Sequence, residues 1–129
     1  MLAFLIVTLA PAGCAMLFPG AKEEFRTEPE PWSGPSIEVA EAETESSHVL
    51  IVRAPTPGWT VTLDGDRARL ECVEVFVTLR EPNPAFVYPQ VIAEHRLLTS
   101  IPTEREIRVY ARRLAFDEDD ADYRPVPSP

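Results

Sequence analysis

The sequence predicts an all-β chain, a small antiparallel β-sandwich of roughly six or seven short strands. Three observations carry this. First, apolar residues alternate from Trp59 to Leu79: Trp59, Val61 and Leu63 share one parity, and Val73, Val75, Val77 and Leu79 repeat the period of two. That period is the mark of half-buried strands. Second, fourteen prolines stand against five glycines, and proline is excluded from helix interiors and central strands. Third, the prolines and polar turn residues fall between the apolar runs, at the 8–12-residue spacing of small sandwiches and barrels.

Taken in order, the first strand is expected over Ile37–Ala42, with Ile37 and Val39 on one face. Ser46-Ser47 suits a turn. His48–Ala54 is apolar on both parities, as a strand buried on both sides would be. Pro55-Thr56-Pro57-Gly58 ends it. The alternating stretch then reads as a hairpin with Asp64-Gly65 at its tip, because a tight primed turn needs positive φ. Trp59, Val61 and Leu63 are expected to face the core. The second arm, Arg67 to Arg80, is longer than the first, so its excess must pair elsewhere or pass a bulge. After the forced turn Glu81-Pro82-Asn83-Pro84, the apolar piece Ala85–Tyr88 is closed by Pro89, and Val91–Thr99 follows as a strand. Ile107, Val109 and Ala111 alternate with Arg108, Tyr110 and Arg112, the clearest half-exposed strand in the chain. The arrangement is loosely similar to immunoglobulin-like sandwiches in architecture alone, since the Cys…Trp…Cys framework of true immunoglobulin domains is missing.

The ends read differently from the middle. Residues 2–10 form an apolar run followed by Pro11-Ala12-Gly13-Cys14, the outline of a secretory signal. Ala12, Gly13 and Cys14 make residues 1–14 resemble a bacterial lipoprotein signal, which implies lipidation at Cys14. Pro11 stands where that family has Leu, and no Lys or Arg precedes the apolar run. An uncleaved anchor and ordinary secretion are the alternatives. Lipidation would leave Cys72 without a partner, as a small buried hydrophobe; a Cys14–Cys72 disulfide is the competing arrangement. Residues 15–35, rich in Pro and Glu, read as a tether, 36–116 as the domain, and 117–129 as a solvated acidic, Pro-rich tail.

The formal net charge of −9 argues against nucleic acid as a partner, because phosphate binding is mainly Lys/Arg electrostatics. No phosphate loop, dinucleotide fingerprint or paired-cysteine motif occurs, and no cofactor is expected. The acidic run at 117–122 lacks the spaced ligands and glycine of a calcium loop. His48 and His95 are the only histidines, and Glu94 beside His95 would point to the opposite face of a strand. The outward row Arg108, Tyr110 and Arg112 combines residue types enriched in protein interfaces. It is the candidate surface for a protein partner or for the chain's own acidic tail. The leading expectation is a membrane-anchored, extracytoplasmic, non-catalytic module of the cell envelope that contacts another protein. The alternatives are a small hydrolytic or metal-dependent enzyme using His48 and His95, and a structural accessory subunit of an envelope assembly.

Overall fold

The structure, a computed structural model, describes residues 25–127. Those residues form seven strands: β1 (Ser36–Glu41), β2 (Ser47–Ala54), β3 (Thr60–Ala68), β4 (Val73–Arg80), β5 (Ala93–Pro102), β6 (Ile107–Leu114) and β7 (Arg124–Pro125). They make two sheets, ordered β1-β2-β5 and β3-β4-β6-β7. The described residues are all-β, as the periodicity predicts. The facing rows of the two sheets form the core, with Leu50, Val52 and Ala54 of β2 against Val73, Val75, Val77 and Leu79 of β4 and Val109 and Ala111 of β6. Trp59 is buried in the same cluster, and Val61 and Leu63 pack against it partly buried. At about 25 cal/mol per Å² of apolar surface, this strip supplies the main drive to fold.

Every pairing between these strands is antiparallel except β4 with β6, which is parallel. A parallel neighbour needs a long crossover, and here β5 crosses through the other sheet between the two. Immunoglobulin sheets pair antiparallel throughout, so the likeness to them ends at two packed sheets.

The hairpin of β3 and β4 is present, but its tip is not Asp64-Gly65. The turn lies at residues 69–72, closed by the Arg69 amide donating to the Cys72 carbonyl at 2.8 Å. Leu63 pairs with Val77 and Gly65 with Phe76, so Asp64 is an extra residue in a β-bulge. The bulge lets β3 run on to Ala68 opposite Val73. A two-residue turn at Asp64-Gly65 would have paired Leu63 with Asp66 and Val61 with Ala68, leaving Val73–Arg80 without a partner in β3. It also changes which parity faces outward: Gly65 and Arg67 lie opposite Phe76 and Glu74, on the outer face of the sheet.

Neither flank is loose where it is described. Residues 25–35 and 117–127 pair with each other and with the edge of β6, and they carry Phe25 and Tyr123 over the outer face of the four-stranded sheet, against the expectation of a free tether and tail. The Glu28 amide donates to Tyr123 O at 2.9 Å, Tyr123 N to Arg26 O at 2.8 Å, Trp32 N to Pro125 O at 2.8 Å and Val126 N to Val109 O at 2.8 Å. The reason is Phe76. It falls on the outward parity of β4 yet is fully buried, so the sheet carries an apolar surface on its second face that something must cover.

Candidate protein-binding surfaces

Four aromatic rings make the covered face. Phe76 stacks on Phe25, with centroids 4.1 Å apart and planes 5° from parallel. It also stacks on Tyr110 at 5.4 Å and meets Tyr123 edge-on at 5.1 Å. The bulged Asp64 becomes the polar centre of this face. Its carboxylate accepts from the Thr78 hydroxyl and, at 2.7 Å, from the Tyr123 hydroxyl. Thr78 in turn accepts from Arg112 Nε at 2.8 Å. Burial first, and then the hydrogen bond to Asp64, push the Tyr123 phenol up to about 12. Because the folded value lies above the ordinary one near 10, the neutral phenol contributes stability that is fully present below pH ~10 and is lost as pH rises through the folded value. Stability is therefore expected to decline in that alkaline window. Tyr123→Phe should lower stability at neutral pH, by about 1–2 kcal/mol for the lost hydrogen bond, and flatten the alkaline decline. A variant with the parental alkaline profile would contradict this role.

Beside the aromatics, Glu74 is buried and accepts from Arg67 Nε at 3.0 Å and Arg69 Nε at 2.7 Å. Burial works to raise its carboxyl, but the two guanidinium hydrogen bonds outweigh it and hold the carboxyl below the ordinary range. Such a group stabilises the fold above its unfolded value and loses that contribution as the pH falls through the folded one. These charges knit β3 to β4.

The Arg108, Tyr110 and Arg112 row is on this outer face, as the alternation predicts. The face is not free. Tyr110 is half-buried against Phe76. Arg112 is held by Thr78 and Asp120 and lies over the Tyr123 ring at 4.8 Å. Arg108 alone of the three is exposed. The acidic segment meets the row at Arg112 through Asp120, so of the three residues Arg108 is the one left fully open. Asp120 also pairs with Arg26, and Arg124 with Glu28.

The histidines do not converge. His48 pairs with Glu41 in the β1–β2 ladder, and its Nε2 lies 2.7 Å from the Arg105 carbonyl. His95 faces the core opposite Val52, near the other end of β2, with Nε2 buried and without a hydrogen-bond partner. Four strand residues separate the two levels, about 13 Å of rise. Among the described residues no cluster of three or more His, Cys, Asp or Glu is placed to hold a metal ion. Cys72 is buried as a free thiol. Cys14 and the signal-like segment lie outside the described residues.

Two other surfaces remain. At the end of the sandwich where β4 gives way to β5, residues 82–93 carry no charge. Phe86, Val87, Val91 and Ile92 there are 64%, 99%, 62% and 68% exposed. The loop has a seat: a Cβ on Gly58 would come within 2.8 Å of Pro82 and Tyr88, so the loop's base is packed against a residue without a side chain. In the sequence this segment passes as a turn and a short strand. The missed signal is the absence of charge between Glu81 and Glu94 in a chain that is 26% charged. The second surface is a cleft of about 450 Å³ between β1 and β6, with Ile37, Val39, Ile107, Val109 and Val126 in its walls.

Compared with known protein families, curated proteins and solved structures, the chain matches none.

Proposed function

We propose that this chain is a membrane-tethered, extracytoplasmic, non-catalytic β-sandwich module that contacts another protein, and that the loop over residues 82–93 makes the contact. The lipoprotein-like segment with Cys14 supports the tether. One observation carries the contact: four large apolar side chains stand exposed in an uncharged loop whose base is packed in place. Depletion of charge at an apolar centre distinguishes the middle of a protein interface from ordinary surface. Exposed apolar groups concentrated in this way mark interaction sites. A protein suits the loop better than an anionic bilayer. The exposed acids Asp117, Glu118 and Asp119 lie at the same end of the sandwich, tied to Arg80 at the foot of the loop through the Glu118 carbonyl at 2.7 Å. They would be repelled by anionic lipid.

The test is a photoreactive amino acid placed at Val87 in the full chain, in cells. Leu70, fully exposed in the turn at the opposite end, is the matched apolar control. Val87 is expected to give a discrete protein adduct that Leu70 does not, and Phe86→Ser should remove it without moving the melting temperature. Adducts only to lipid, or equal adducts from both positions, would overturn the assignment. The tether is tested separately: membrane partitioning should resist high salt and be lost in Cys14→Ser.

A further inference from the structure

β1 is the outer strand of its sheet. All six of its residues pair with β2, and among the described residues no strand pairs with its other edge. Such an edge is a row of backbone donors and acceptors ready for another strand. Its inward row is Ile37 and Val39, opposite Val52 and Leu50. Val52 and Leu50 are wholly buried, whereas Val39 is 38% exposed. The core is therefore open along this side, and the cleft between β1 and β6 is the opening. Ile107, Val109 and Val126 face Ile37 and Val39 across it.

One mouth of the cleft is acidic. The turns after β1 and after β5 are joined there by the Thr103 amide donating to Ser46 O at 3.0 Å. They gather the exposed carboxylates Glu41, Glu43, Glu45, Glu104 and Glu106. None of these makes an ion pair among the described residues. Arg105 at the same mouth is turned inward, donating to the carbonyls of Arg69 and Cys72.

We infer that the β1 edge and the cleft beside it form a binding site for an extended peptide segment that alternates apolar and basic residues. The segment adds as a strand to β1. Main-chain hydrogen bonds hold it, alternate side chains enter the cleft against Val39, Ile107 and Val126, and the side chains between them carry the positive charge that the carboxylates at the mouth call for. Strand addition of this kind draws affinity from the backbone and specificity from the pockets for alternate side chains. A second copy of this chain does not suit the site: its own β1 carries Glu38 and Glu41 and no basic residue to meet the carboxylates at the mouth. This site lies apart from the loop proposed above and does not depend on it.

The probe is a short fluorescent peptide alternating Lys and Val, titrated against the full chain. A Glu-Val peptide of the same length is the control. The Lys-Val peptide is expected to bind and to slow hydrogen exchange at β1 amides. Val39→Asp should weaken it by at least about tenfold, the equivalent of ~1.4 kcal/mol. Glu41→Lys with Glu104→Lys, both on exposed side chains and so safe for the fold, should weaken it comparably and flatten its dependence on salt. The inference is overturned if the Lys-Val peptide shows no saturable binding, if the Glu-Val peptide binds as well, or if Val39→Asp and the double Lys variant leave binding unchanged. It is equally overturned if Val39→Asp abolishes self-association in place of peptide binding.

Discussion

Truncating the chain after Phe116 is expected to destabilise it severely. Composition makes residues 117–129 look dispensable, yet Tyr123 is only 2% exposed. Its ring closes the cluster over Phe76 and Phe25, and its hydroxyl is one of two that satisfy Asp64. Removing a buried large aromatic costs about 3–5 kcal/mol. The truncation also strips the hydrogen bonds that hold residues 26–32 in place and leaves the buried face of Phe76 open to water. Domains of this size have about 5–15 kcal/mol in all, so the truncated chain should lose much of its stability. Urea denaturation reads this directly. A midpoint far below the parent's is the expected result, with Tyr123→Ala falling between them. An unmoved midpoint would show that the tail contributes nothing to the fold.

Gly65→Val is the second large effect. Gly65 sits at φ +157°, a region held almost only by glycine, and there is a second constraint. A Cβ at this position would lie 3.0 Å from Phe25 Cζ, so the bare backbone is what lets Phe25 stack on Phe76. The backbone alone costs about 1–3 kcal/mol, and the lost stack adds to it. Ala adds the same Cβ, so Gly65→Ala compared in the parent and in a Phe25→Ala background separates the two causes: cost that persists without the ring belongs to the backbone, and cost that disappears belongs to the ring packing. A Gly65→Val protein with parental stability would contradict the bulge.

Much of the core was legible in the sequence, because period-two alternation reports one buried face. Val73, Val75, Val77 and Leu79 share a face, and so do Val109 and Ala111, as the parity says. Parity reports two-sided burial only where both rows are apolar, as in Val49–Val52, and in β4 the second row is Glu74, Phe76 and Thr78. Phe76 stands among outward positions, and its burial depends on Phe25 and Tyr123, far away in sequence. For the same reason the Arg108, Tyr110 and Arg112 row reads as an open surface. Its covering is an acidic run that by composition alone resembles solvated charge. Asp64-Gly65 has the chemistry of a hairpin tip, but glycine's freedom serves a bulge equally well. Only the pairing of Ala68 with Val73 distinguishes the two. The loop at 82–93 was visible as a segment, while the exposure of its apolar residues was not, since exposure belongs to the whole surface.

Amide hydrogen exchange measured residue by residue tests most directly whether the two ends of the chain close the outer sheet face. The amides of Glu28, Trp32, Tyr123 and Val126 each donate to a backbone carbonyl of the opposite terminal segment or of β6, and so hold Phe25 and Tyr123 over that face. They should be protected to a degree approaching that of Val75 and Val77 in β4, and should lose protection together. Exchange of these four at the rate of an unstructured peptide, with β4 still protected, would contradict the closed face. It would return Tyr110 and Arg112 to the surface and make their row, rather than the loop at 82–93, the place to look for the partner.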